Sequence, residues 1–233
     1  MSEYEAYFED NLKKEERLQT FIEALGVGNT PFLNALEEEA IAAGVPVIRP
    51  AMQSLLKFFL AMTKPRRILE IGTGTGFSAA LMGTYAQDAE ILTVEKDPER
   101  AKKAREVLEQ AQLLGRVTLR EDDAERAMRD LAREGASFDF LFMDAAKGQY
   151  VHLLPLAEKA VCPGGLMITD NILQEGGILA SKFMIQRRDR TIHRRVREYL
   201  EALTHSAAWK SVILGDGDGA VVSFRTGDEK SGE

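Results

Sequence analysis

Asp144, Lys147, Asp170 and Asn171 are the residues whose types and spacing best suit chemistry. Asp144 ends the apolar run Phe138–Met143, and Asp170 with Asn171 ends the run Leu166–Thr169. Apolar runs that stop on acids bring those acids to the carboxyl edge of a parallel sheet, where the ligand crevice lies. Two carboxylates and an amide are three hard oxygen donors, which suit Mg²⁺, Mn²⁺ or Ca²⁺ and not zinc. The 3 histidines are scattered and Cys162 is the only cysteine, so neither offers a competing ligand set. The rival reading has Asp144 and Asp170 capping the helices that follow them. Lys147 adds an amine that can take the proton of a hydroxyl acidified by a bound cation, although alone it would read as a surface charge.

A second group lies upstream. The run Ile68–Ile71 breaks into Gly72-Thr73-Gly74-Thr75-Gly76 and resumes as a helical pattern from Phe77 and Ser78. Strand, glycine turn and helix bring free backbone N–H groups against a bound carboxylate or phosphate, and this points to a nucleotide-like cofactor. The next strand, Glu90–Glu95, ends on an acid about 20 residues beyond the glycines, where a doubly wound sheet places the carboxylate that holds ribose hydroxyls. Glu70, two residues before Gly72, would repel a pyrophosphate but suits a ligand bearing an ammonium and a sulfonium. S-adenosylmethionine therefore fits better than a dinucleotide, whose fingerprint wants two residues between its second and third glycines.

These residues need an α/β scaffold to hold them. Helices are expected over the 4–25 region, Pro31–Ala43, Ile48–Met62, from Pro98 through Ala111, up to about Arg133, through Tyr150 and Leu154, and from Phe183 to Leu203. Strands are expected at Ile68–Ile71, Glu90–Glu95, Arg116–Arg120, Phe138–Met143, Leu166–Thr169, Ser211–Leu214 and Ala220–Phe224. The last two, joined by Gly215-Asp216-Gly217-Asp218-Gly219, form a terminal antiparallel pair. The expected fold is a Rossmann-like, mostly parallel seven-stranded sheet with helices on both faces.

At 233 residues and 45% hydrophobic content the chain can bury one sizeable core, so one domain is expected. Within it, 1–47 is an N-terminal helical extension, 48–225 the catalytic core and 226–233 a disordered polar tail. A formal charge of −7 argues weakly against non-specific nucleic-acid binding and leaves a local basic patch open. The acidic N-terminus has no apolar targeting segment, and the stretch Leu55–Met62 is too short to span a bilayer and carries Lys57. A cytoplasmic protein with no membrane partner is the expectation.

Glu70-x-Gly72, Glu95, Asp123-Ala124, Phe142-Met-Asp-Ala-Ala-Lys147 and Thr169-Asp-Asn171 together resemble the cation-dependent O-methyltransferase family that includes catechol and caffeoyl-CoA methyltransferases. The resemblance runs from about Val45 to Phe224. It implies a class I methyltransferase fold and cofactor contacts at Ile48, the loop Gly72, Thr73, Gly74 and Gly76, Ser78, Glu95, Asp123, Ala124 and Asp144. It further implies a metal held by Asp144, Asp170 and Asn171, and a homodimer. Within the family, Asp144–Tyr150, Val45-Pro46 and the stretch 187–195 look most like the bacterial tRNA 5-hydroxyuridine methyltransferases.

Residues 187–197 contain 6 arginines and 1 aspartate. At helical spacing Arg187, Arg190, Arg194 and Arg197 form one stripe and Ile192, Val196, Tyr199 and Leu203 the opposite, buried one. The stripe is either a solvated, salt-bridged face or a phosphate-binding strip that positions RNA near the metal. The resulting expectation is metal-dependent O-methylation of a tRNA hydroxyuridine, with a small catechol or phenol as the alternative substrate.

Overall fold

The structure, a computed structural model, describes residues 17–18, 20–22, 24–173, 178, 190–215 and 218–227. The described residues 17–18, 20–22 and 24 are helical, and two further helices follow, α1 (Pro31–Ala42) and α2 (Pro50–Thr63). Then follow β1 (Arg67–Ile71), α3 (Phe77–Tyr85), β2 (Glu90–Glu95), α4 (Pro98–Gln110), β3 (Val117–Glu121), α5 (Ala124–Arg133) and β4 (Phe138–Met143). A short 3₁₀ turn (Lys147–Gln149) leads into α6 (Tyr150–Ala160), β5 (Val161–Thr169), α7 (Arg190–Thr204), β6 (Trp209–Leu214) and β7 (Ala220–Arg225). The proposed helix over 183–189, most of the 1–25 region and the tail 228–233 lie outside the described residues.

The seven strands lie in the order β3-β2-β1-β4-β5-β7-β6. Strands β1 to β5 are parallel, and β7 runs antiparallel to both β5 and β6. The expected fold is therefore the observed one. Strand order reverses between β1 and β4, so the crevice expected of an open α/β sheet lies at their carboxyl ends.

Alternation along each central strand divides the core in two. Ile68, Phe140, Phe142 and Ile168 pack under α2, α3 and α4, while Leu69, Ile71, Leu141, Met143 and Met167 pack under α5, α6 and α7. Burial on both faces is why β4 reads as an unbroken apolar run. Strand β5 begins at Val161, five residues before the expected start. Cys162–Gly165 are passed over by the pairing, because Phe138 faces Val161 but Phe140 faces Leu166. The sequence signal of a turn at Pro163-Gly164-Gly165 is thus a bulge inside a strand.

Helix α7 buries His193, Val196, Tyr199 and Leu203. Ile192 is 40% exposed, which corrects its expected place in the buried stripe. Val196, Tyr199 and Leu203 are buried as expected, and His193 is buried beside them, its Nε2 donating to the Ile178 carbonyl at 3.2 Å. No described helix is long and apolar enough to cross a membrane.

Candidate functional site

Gly72 lies at the switch point because nothing larger fits there. A Cβ on it would come within 2.0 Å of the Asp144 carbonyl oxygen, and its φ of 100° is left-handed. The close approach brings the glycine loop of β1 against the acid that ends β4. Gly76 also has a left-handed φ, 96°, and a Cβ there would meet the Ala104 backbone of α4 at 3.0 Å.

A cavity of about 520 Å³ opens beyond these strand ends, within the range that takes small ligands and cofactors. Of the expected cofactor and metal residues, Ile48, Gly72, Thr73, Gly74, Ser78, Glu95, Asp144, Asp170 and Asn171 line it. Ala124 lines a smaller hollow of about 90 Å³, which also touches Gly72, Glu95 and Asp144. Gly76, Glu70 and Asp123 line neither cavity. Asp123 is instead the N-cap of α5, accepting from the Glu125 and Arg126 N–H groups.

Glu95 is already shaped by the loop it faces. One carboxylate oxygen accepts from Gly74 N at 2.9 Å, and the other accepts from Lys96 N and Asp97 N at 2.9 Å each. Ile48 is held by Gln53, whose Nε2 donates to the Ile48 carbonyl at 2.9 Å.

Glu70 sits beneath the cavity floor with 0% exposure. Thr93 donates its hydroxyl proton to Glu70 Oε2 at 2.5 Å, so Thr73 must be the donor in the 2.5 Å contact between the two threonines. Oε1 has no hydrogen-bond partner. Burial lifts the Glu70 carboxyl to about 7, the Ser78 and Thr93 hydroxyls pull it back, and the charges of Asp144 and Glu95 push it up again. A buried acid with an orphaned oxygen, under a cavity edged by other acids, awaits a cation or a proton.

Asp144 and Asp170 come together as the strand ends required. Burial and the charge of Asp144 raise the Asp170 carboxyl to about 7, while the Lys147 ammonium lowers both acids. Asn171 Nδ2 donates to Asp144 Oδ1 at 3.3 Å, and Asn171 N donates to Asp170 Oδ1 at 2.7 Å. The amide oxygen of Asn171 keeps its lone pairs. The capping alternative fails for Asp144, because neither the 3₁₀ turn nor α6 has a side-chain cap. Among the described residues no three His, Cys, Asp or Glu side chains gather, so a cation here would need the amide as its third protein donor. Two repelling carboxylates, Asp170 buried and Asp144 half-buried, and an amide oxygen do fit a hard divalent cation.

Lys147 opens the 3₁₀ turn behind Asp144, and α7 buttresses that turn through Arg195 Nη1, which donates to the Gly148 carbonyl at 3.2 Å. Of the proposed arginine stripe, Arg194 pairs with Glu198 at 2.8 Å and Arg197 Nη1 donates to the Ile178 carbonyl at 3.5 Å. Arg190 begins α7 with its side chain exposed and engaged, and Arg187 lies outside the described residues.

Sequence reasoning missed Arg49 and Asp218, which line the cavity and pair at 3.0 Å. Asp218 Oδ1 is buried without a partner, and its charge also bears on Asp170. The Gly215–Gly219 cluster carried only a turn signal, and no spacing rule linked it to Arg49, 169 residues away in sequence.

The sequence profile of the O-methyltransferase family matches residues 23–226. A catechol O-methyltransferase of Mycobacterium tuberculosis is 32% identical over 166 residues, 70% of this chain and 74% of that protein. A catechol O-methyltransferase of Niastella koreensis is 31% identical over 141 residues, 59% of this chain and 64% of that protein. The match therefore spans just under two thirds of that relative's length. A solved O-methyltransferase of Bacillus cereus in complex with SAH shares the fold, with a TM-score of 0.78, 23% identity and coverage of 90% of this chain and 97% of that one.

Proposed function

The chain belongs to the O-methyltransferase family, and we propose that it transfers the methyl group of S-adenosylmethionine to a ring hydroxyl in a divalent-metal-dependent reaction, with residues 48–225 as one catalytic unit. The observation that carries this reading is the charge of the cavity. Glu95, Asp144, Asp170 and Asp218 line it against Arg49 and Arg100, with Glu70 buried below. Such a wall opposes a pyrophosphate and favours a sulfonium bearing an ammonium.

S-adenosylmethionine would supply the methyl group and a leaving sulfide that needs no protonation. A divalent cation held by Asp144, Asp170 and Asn171 would lower the pKa of the substrate hydroxyl. The chain's own work is alignment and proton transfer. Glu95 and the Gly72–Gly74 loop would orient the ribose side of the cofactor, Ile48 and Ser78 would flank it, and Lys147 Nζ, as the neutral amine, would take the hydroxyl proton and leave the oxygen free to accept the methyl group.

Glu70 gives this reading a pH signature. Its folded-state pKa is raised from 4.5 to about 7, so its stabilising protonated form is fully present below about 4.5 and is lost as pH rises through about 7. Ligand-free protein is expected to melt lower at pH 8 than at pH 5, with Glu70 contributing roughly 3 kcal/mol at most. Cofactor affinity should move the opposite way, rising through pH 7 as the carboxylate forms. Calorimetry on Glu70→Gln should show weaker cofactor binding with that rise diminished; an unchanged pH dependence would remove Glu70 from the cofactor site.

For the substrate we favour the 5-hydroxyl of a tRNA wobble uridine. Support comes from α7, which packs on the Lys147 turn through Arg195 and carries Arg194 exposed beside it. Phosphates held along that helix would bring a base to the cavity. The second reading, a free catechol, is favoured by the names of the two relatives and by the engagement of Arg194 and Arg197 within the protein. Alanine at both Arg190 and Arg194 separates them. For tRNA, affinity should fall and the slope of log K against log salt should flatten by roughly 0.7 to 0.9 per lost phosphate contact, while turnover of a free catechol stays unchanged. An unaltered tRNA affinity and salt slope would leave α7 a solvated face. A homodimer also belongs to this reading, supported by the exposed Phe58 and Met62 of α2.

A further inference from the structure

Behind the acid pair stands a hydroxyl that the proposed reaction does not use. Tyr150, the first residue of α6, has 0% exposure, and its Oη donates to the Asp170 carbonyl oxygen at 3.1 Å. That bond ties the start of α6, which follows the Lys147 turn behind Asp144, to Asp170 at the end of β5. The ring leans on Tyr199, centroids 5.5 Å apart, and Tyr199 Oη meets Thr169 Oγ1 at 2.6 Å, one residue before Asp170.

A phenylalanine would fill the same volume without burying a polar atom, so the hydroxyl has to be explained by its bonds. A tyrosine hydroxyl carries its proton at neutral pH and is here the donor to the Asp170 carbonyl. The backbone it holds is under load, since Asp144 and Asp170 repel each other and Asn171, next in the chain, has a left-handed φ of 60°.

We propose that Tyr150 is a positioning residue for the acid pair: its hydroxyl ties the segment that follows Asp144 to Asp170 at the end of β5 and so sets the separation of Asp144 and Asp170 that a divalent cation meets. The inference rests on the proposed metal dependence. Groups that orient ligands in this way typically change metal affinity 10- to 100-fold when removed.

The test is Mn²⁺ titration of the full chain, followed by electron paramagnetic resonance, with S-adenosylmethionine affinity and thermal midpoint measured alongside. Tyr150→Phe is expected to weaken Mn²⁺ binding by about 10- to 100-fold, with cofactor affinity essentially that of the wild type. Tyr199→Phe, which loses only the bond to Thr169, should weaken Mn²⁺ less. Mn²⁺ affinity in Tyr150→Phe equal to wild type overturns the proposal, as does a parallel fall of Mn²⁺ affinity, cofactor affinity and thermal midpoint, the mark of a merely structural role. If Tyr150→Phe does not fold, unchanged Mn²⁺ binding in Tyr199→Phe counts against the tyrosine support. Wild-type protein that binds no Mn²⁺ fails the metal dependence itself, and this inference with it.

Discussion

Lys147→Met is expected to lower kcat by about 100- to 10,000-fold, the usual worth of a positioned general base, while leaving affinity for S-adenosylmethionine and for Mn²⁺ close to wild type. The reason is local. Lys147 starts the turn that follows Asp144, and its charge reaches both Asp144 and Asp170 without lining the cofactor cavity. Methionine keeps the length of the side chain and removes the amine together with its charge. Single-turnover measurement of methyl transfer, paired with calorimetry, checks both halves. A kcat within a few-fold of wild type would return Lys147 to the status of a surface charge.

The second large effect concerns the acids. Asp170→Ala is expected to abolish detectable transfer and to weaken Mn²⁺ binding by more than about 100-fold, beyond the loss of a group that merely orients a ligand, because Asp170 is one of the two carboxylates that, with the Asn171 amide, the described residues bring together to hold the cation. The fold should survive. Asp170 is a destabilised group whose burial and repulsion from Asp144 raise its pKa, so its removal takes away a buried charge and not a core contact. Cofactor binding should persist through Glu95 and the glycine loop. Dialysis of wild-type protein against a chelator should reproduce the loss, and added Mg²⁺ or Mn²⁺ should reverse it. Full turnover in excess chelator would exclude the cation from the reaction.

The parts of the fold that follow from local pattern were legible in the sequence. Strands β2 and β4 begin and end where the apolar runs do, at Glu90–Glu95 and Phe138–Met143, and Pro98 opens α4 behind the Asp97 cap. Strand ends predict acids in a crevice, and Asp144 and Asp170 are found together at one. What was not legible depends on pairing across the chain. The bulge at Cys162–Gly165 exists only because β4 sets the register of β5. The contact of Gly76 with Ala104 and the capping of α5 by Asp123 are roles that a loop motif does not reveal. The Arg49–Asp218 pair and the Tyr150 staple each join elements whose contact no periodicity encodes. In α7 the amphipathic pattern was right at Val196, Tyr199 and Leu203, but His193 and not Ile192 is buried with them, because the Ile178 carbonyl supplies a partner that lets the imidazole go inside.

One measurement bears most directly on the central claim: purified protein, S-adenosylmethionine with a labelled methyl group, Mg²⁺, and either tRNA carrying 5-hydroxyuridine or free catechol, with products identified by mass spectrometry. The predicted result is a labelled methyl on a ring oxygen, as 5-methoxyuridine in the tRNA, present with Mg²⁺ and absent after chelation. Label on catechol alone would keep the reaction and replace the substrate. Label on neither, from protein that binds the cofactor and the metal, would contradict the account.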